Sequence, residues 1–413
     1  MSIKRHAALG FIFVTALLDM LAFGIVAPPL PKLIADFVGG NTAKASEYLG
    51  LFITTFALMQ FFFSPVIGMI SDRYGRRPVV LLSNFGLALD YAIMALAPSV
   101  GWLFLGRVLS GITSSSIATA AAYISDVTTV EKRSKAFGLM GAAFGVGFVV
   151  GPAIGGWLGM HNPRLPFWVG AGASLLNFCY GLLVLPESLP PEKRQPKFSW
   201  KKANPLGSLR LLRSNAELLG LAGVEFLGYL AHEVYLTVWV LYVMYRFGWN
   251  QSQVGTSLAV VGISSIVVSG VLVGPAVKWL GDRRALLTGL FFGAVGFAMY
   301  GWAGGALMFL LAIPVNSLWA LARPASQTLM TQRVAPNEQG ELQGAIASLR
   351  GVAMVIGPQI FSFTFAYYTA PEHKFPAAPW YLAAGMVAAS LALAWSVARE
   401  RQGQLKVAEA EAN

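Results

Sequence analysis

Gly68-Met69-Ile70-Ser71-Asp72-Arg73-Tyr74-Gly75-Arg76-Arg77-Pro78 is a charged turn between two apolar runs, and Gly274-Pro275-Ala276-Val277-Lys278-Trp279-Leu280-Gly281-Asp282-Arg283-Arg284 repeats it 206 residues later. The same shift carries Gly138 onto Gly344, Gly145 onto Gly351, Gly151 onto Gly357 and Pro152 onto Pro358. A single turn repeats by chance, but a string of glycines and a proline in one register implies two copies of one folding unit. The shift also sets Asp19 against Glu225, provided that the intervening loops keep their lengths.

Composition says where the two copies reside. Soluble domains carry about a quarter charged residues; this chain of 413 has 12% charged, 56% hydrophobic and a mean hydropathy of +0.61. Most of it must lie in lipid. The net charge of +11 forms no basic stripe or aromatic-basic platform, which argues against nucleic acid and for charges that orient membrane spans. Cys179 stands alone in an apolar run, offering neither a disulfide framework nor a thiolate metal site. The first apolar stretch contains Asp19, exceeds a signal-peptide core in length and is followed by further spans, so it is expected to be retained.

About 20 helical residues cross a bilayer, and only helices or closed barrels satisfy their backbone there. The apolar runs predict an all-α membrane protein of twelve transmembrane helices: 8–35, 48–70, 78–97, 100–122, 135–159 and 165–186, then 217–246, 252–277, 285–304, 306–330, 340–366 and 377–398. Two pseudo-symmetric six-helix halves follow, at 1–187 and 216–400, with a cytoplasmic linker at 188–215 and a polar tail at 401–413. Placing both termini in the cytoplasm leaves only Lys32, Lys44, Arg164, Arg246 and Lys374 outside, with Arg107, Arg323 and Arg350 inside spans. Positive-inside asymmetry fixes that orientation. The linker's lysines and arginines also suit contact with anionic headgroups. Parallel six-helix halves are a transporter architecture, with a midplane site and alternating access by rocking.

The residues of the first turn suit a conformational gate. Gly68 and Gly75 permit close approach and a tight turn, Asp72 sits at a helix end, and Arg73, Arg76 and Arg77 supply donors. Such a clasp holds one conformation and releases in another; the alternative is that the arginines only anchor topology. In the second copy Lys278 replaces Asp72, so only the first has an acid at its centre. In the fifth span Gly147, Gly151, Gly155 and Gly156 leave a helix face without side chains, while Pro152 removes a backbone hydrogen bond and favours a kink.

These two strings resemble the loop and antiporter signatures of the major facilitator superfamily. Leu17-Leu18-Asp19, Gly24-Ile25, Leu30-Pro31, Leu89-Asp90-Tyr91 and Gly106-Arg107 extend the likeness, as do Val238-Trp239-Val240-Leu241, Arg246-Phe247-Gly248-Trp249-Asn250 and Leu342-Gln343-Gly344. Together they are similar to the tetracycline–proton antiporters, most densely in the first half. The resemblance implies the major facilitator fold and places Asp19, Asp90 and Arg107 in the substrate and proton pathway.

The residues support part of that reading unaided. An ionisable group inside a membrane is unfavourable unless paired or hydrated, and is a functional candidate by default. Desolvation favours a neutral carboxyl and a nearby guanidinium favours a charged one, so exchanging the two environments couples a proton to another event. A purely structural ion pair is the alternative for Asp19, Asp90 and Arg107.

The second half departs from the resemblance. Tetracycline exporters carry a histidine in the eighth helix and an aspartate in the ninth, where this chain has Ser265 and Gly293. Instead the seventh helix holds Glu225, His232 and Glu233, and the tenth and eleventh hold Arg323 and Arg350. At 100° per residue Glu225 and His232 fall about 20° apart and Glu233 roughly 80° from Glu225. One face therefore presents two acids and an imidazole to a cavity, or the acids neutralise the two arginines. Met59, Phe61, Phe62, Tyr91, Tyr229, Tyr235 and Trp239 suit an adaptable pocket, and the amides of Gln60 and Gln343 must find partners in a neighbouring helix or a ligand.

No catalytic constellation or phosphate-binding loop is present in the sequence, and its polar segments are too short for a nucleotide-binding domain. The chain is thus expected to be no enzyme, to need no cofactor or metal, and to draw energy from a proton gradient. The expected function is proton-coupled antiport of drug-like small molecules out of the bacterial cytoplasm across the inner membrane, as a monomer with substrate, protons and lipid as partners. Export of an endogenous anionic or zwitterionic metabolite or siderophore is a second reading, and a non-transporting receptor or scaffold on the same fold a third.

Overall fold

A computed structural model describes residues 2–113, 116–128, 130–194, 207–335 and 338–397. Helices dominate, and no strand occurs among the described residues. In order they are α1 (Ser2–Val26), α2 (Pro29–Phe37), α3 (Thr42–Tyr74), α4 (Arg76–Leu96), α5 (Val100–Thr113), α6 (Ser116–Val127), α7 (Val130–His161) and α8 (Leu165–Val184). There follow α9 (Ala216–Thr237), α10 (Trp239–Phe247), α11 (Gln251–Val267), α12 (Val273–Leu280), α13 (Asp282–Trp302), α14 (Ala306–Ser317), α15 (Ala322–Thr331), α16 (Gln339–Thr369) and α17 (Ala378–Val397).

Among the described residues ten helical segments are long and apolar enough to cross a membrane, or eleven when α9 and α10 count as one span bent by 52°. The pair α5 and α6 occupies the place of the remaining expected span, on either side of residues 114–115. Several spans are less regular than periodicity implied. The first divides at Pro28-Pro29, where prolines remove backbone donors. The eighth runs from α11 to α12 through a π-helical turn at Val268–Leu272, and the tenth passes from α14 to α15 through a 3-10 turn at Leu318–Leu321. The tail and the linker's centre lie outside the described residues; the linker's described ends form 3-10 turns at Pro191–Lys193 and Gly207–Arg213.

Both copies of the charged turn adopt one backbone conformation. Gly75 between α3 and α4 has φ 108° and ψ 163°, and Gly281 between α12 and α13 has φ 75° and ψ 163°. Only glycine adopts that region freely, so the repeat read from sequence is a repeat of geometry.

The chain divides into two compact units. The larger comprises Met1–Pro205, Glu233–Ser264 and Gly351–Pro379; the smaller comprises Leu206–His232, Ser265–Arg350 and Trp380–Asn413. In the larger unit α1 packs chiefly on α7 and α8, α3 on α5, and α4 on α8 and α5. An apolar cluster including Val80, Tyr123, Ile124, Met140 and Leu185 underlies the charged turn. The smaller unit packs α13 on α14 and α15 around Phe297, Tyr300, Phe309 and Trp380, whose side chains are fully buried.

Candidate functional site

At the first charged turn, Arg76 rather than Asp72 is the hub. Its guanidinium pairs with Asp72 at 2.6 Å and Asp126 at 3.1 Å, and donates to Ser71 at 3.1 Å. Glu187, just beyond α8, accepts from the backbone N–H groups of Arg76 at 2.8 Å, Arg77 at 3.2 Å, and Ser188 and Leu189 at 3.0 Å. It caps the start of α4, where backbone donors lack helical partners. Arg77 donates to the Leu182 carbonyl at 2.8 Å, whereas Arg73 stacks over Tyr74. Gly68 has open space around its α-carbon. Sequence reading found the donors but missed Asp126 and Glu187, which are 50 and 111 residues from Arg76. Glu187→Ala should lower stability by about 1.5–3 kcal/mol, the range for hydrogen bonds to a charged group. Thermal unfolding checks this: Asp126→Asn leaves the cap intact, and a Glu187→Ala midpoint no lower than that of Asp126→Asn would exclude the cap as a stabilising element.

Deeper in the larger unit, Asp19 on α1 is 6% exposed and accepts from the Asn177 amide at 3.0 Å, while the same amide donates to the Thr15 carbonyl at 3.2 Å. Asn177 on α8 was not anticipated. A buried asparagine in an apolar run is itself a signal, because its amide must find a partner. Asp90 is fully buried and ion-paired to Arg107. Gly106 makes room for its carboxylate. The guanidinium also reaches the Met94 sulfur at 3.6 Å and lies over Phe52 and Phe56 at 5.4 and 5.5 Å. Tyr91 is buried against Gly170 of α8, with Gln60 half-buried on α3.

The bare face of α7 meets two partners. Gly147 and Gly151 abut Met20, Leu21 and Gly24 of α1, Gly155 faces the Ile25 carbonyl, and Gly156 faces the Gln251 carbonyl and Gly255 of α11. The carbonyl of Pro152, inside the unbroken α7, faces Gly255. A related seam joins α3 and α16, where Gly50 abuts Ser362 and the Pro358 carbonyl. Ser46 and Thr54 donate to the carbonyls of Ser362 and Val355, each at 3.0 Å. Positions 156 and 362 differ by the repeat's own shift. Both seams lie toward the helix ends far from the charged turn.

The seventh-span residues divide between the units. In the smaller one, Glu225 is 7% exposed and lies beside Tyr229 and Ser326, with Arg323 in electrostatic reach. His232 is exposed and faces Trp319 at 6.2 Å between ring centres, within reach of the Arg323 and Arg350 charges. Arg323, Gln343 and Arg350 are exposed. Gly293 lies directly under Trp319, so the missing helix-nine aspartate leaves space for an indole that sequence reading overlooked. In the larger unit Glu233 is buried, Tyr235 sits 5.8 Å from Trp239, and Trp239 is fully buried and donates to Ser257 at 3.0 Å. Among the described residues no group of three His, Cys, Asp or Glu side chains gathers as a metal site.

The chain is 37% identical to the class C tetracycline resistance protein of Escherichia coli over 388 residues, 93% of this chain and 95% of that one. It is 34% identical to the class B protein of the same organism, covering 85% and 87% of the two chains. Among solved structures, the human organic anion transporter MFSD10 (TETRAN) superposes with TM-score 0.69 at 23% identity, over 94% of this chain and 99% of that one. The nucleoside transporter NupG gives 0.77 at 13% identity, over 95% and 100%. Such identities show the fold alone. The model of the Major Facilitator Superfamily matches residues 12–358. With a charged turn repeated along the chain and ionisable residues within its spans, the chain is a multi-pass membrane transporter, not an enzyme, and belongs to the Major Facilitator Superfamily.

Proposed function

We propose that the chain is a proton-coupled antiporter exporting tetracycline-type drugs from the bacterial cytoplasm, with both termini on the cytoplasmic side. The observation that carries this reading is the buried carboxylate set of the larger unit, Asp19 against Asn177 and Asp90 against Arg107, in a chain similar to tetracycline resistance proteins along nearly its whole length. Asp19 is the proton carrier, because the Asn177 amide that donates to it is neutral and tolerates either protonation state. Asp90 is committed to a guanidinium. In vesicles with an imposed pH gradient the protein should concentrate tetracycline against its gradient. Asp19→Asn should abolish pH-driven accumulation while downhill exchange persists, and unchanged accumulation would remove Asp19 from the mechanism.

A second reading, export of an anionic or zwitterionic metabolite, is supported by the exposed Arg323 and Arg350 beside His232. Arg323→Gln with Arg350→Gln should then cut transport of anionic substrates at least about a hundredfold, as the loss of one charge-assisted hydrogen bond per arginine requires. Unchanged transport of every anionic candidate sinks that reading.

A further inference from the structure

The second charged turn lacks the acids of the first. Shifted by the repeat, Asp72 becomes Lys278, Asp126 becomes Gln332 and Glu187 becomes Leu393, whereas Arg77 becomes Arg283. Asp282, the first residue of α13, takes the place of Arg76, and Leu393 that of the capping Glu187; from Lys278 to Arg284 the chain carries three basic groups and the single acid Asp282. Arg283 is held only loosely. It lies over the Trp395 ring of α17 at 5.7 Å, donates to the Trp395 carbonyl at 3.5 Å, and its Nε has no hydrogen-bond partner.

The same two helices border an apolar groove of 440 Å³, lined by Phe291, Ala294 and Ala298 of α13 and Ala384, Gly385 and Ala388 of α17. Leu391 continues it one turn short of Trp395, toward the basic end. Apolar cavities stay dry, so a groove of this kind in a bilayer fills with hydrocarbon.

We propose that this groove holds an acyl chain of an anionic phospholipid whose phosphate sits on Arg283 and its neighbouring basic groups, offsetting the excess positive charge that Asp282 alone does not balance. Charge selects this occupant over a second copy of the protein. A two-fold axis along the membrane normal would bring the Lys278–Arg284 segments of both copies to the same membrane level, like charge beside like.

The test uses the full chain, purified and titrated with phosphatidylglycerol, phosphatidylcholine or soluble glycerol phosphate, with bound lipid read by native mass spectrometry. Wild type should retain phosphatidylglycerol in preference to phosphatidylcholine. Arg283→Gln should weaken phosphatidylglycerol roughly fivefold, the contribution of one basic residue near an anionic surface, and leave phosphatidylcholine unchanged; Arg283→Lys should keep the preference. Gly385→Leu should displace both lipids. A Cβ there meets nothing within 4 Å, so the variant should fold. Equal retention of both lipids by wild type, competition by glycerol phosphate at the lipid's own concentration, or a dimer broken by Gly385→Leu would overturn the proposal.

Discussion

Asp90→Ala is expected to remove about 3–5 kcal/mol of stability, because it leaves a largely buried guanidinium without its counter-ion. Asp90 is fully buried, and the remaining neighbours of Arg107 are a thioether and two aromatic rings. Neither replaces a carboxylate. Arg107→Met should be damaging for the converse reason, whereas the double variant removes both charges and should recover most of the loss. Midpoints of thermal unfolding in one detergent give the cycle. A double variant no more stable than the worse single variant would show that the pair is not the source of the effect. With folding restored, uphill transport by the double variant separates a structural pair from one that takes part in coupling.

The second large effect is expected at Gly156. A side chain there is directed into the Gln251 carbonyl and the Gly255 α-carbon, backbone atoms that no rotamer change can move. Gly156→Leu should force α7 and α11 apart and abolish transport. Ser46, fully buried in the companion seam, reports the accompanying change. After replacing the exposed Cys179, Ser46→Cys should resist a membrane-impermeant thiol reagent in the parent and react in the Gly156→Leu background. Continued protection together with normal transport would mean that this approach is not needed for closure.

Periodic and local features were legible. The shift linking the two charged turns predicted two copies, and Gly75 and Gly281 share the backbone conformation that only glycine adopts freely. That Asp19, Asp90 and Arg107 would be either functional or ion-paired could be read because isolated charges are unfavourable in a membrane; which acid meets Arg107 came from the structure. Partners across long separations were harder to find. Nothing near Arg76 points to Glu187, and Asn177 lies 158 residues from Asp19. Trp319 looked like one apolar residue among many, and its role depends on the space that Gly293 leaves. The breaks in the spans were missed because hydropathy measures how apolar a segment is and carries little information about hydrogen-bond continuity.

The meeting of Gly156 with Gly255, and of Gly50 with the Ser362 region, has a consequence for how easily the protein can reverse itself. Interfaces built from long side chains freeze rotamers when they form and release them when they part, so each reversal carries a large entropy change. Glycine has no rotamers to freeze. A seam of glycines and short hydroxyl side chains would open and close with little change in side-chain disorder, an advantage if the transporter exposes its two sides in turn.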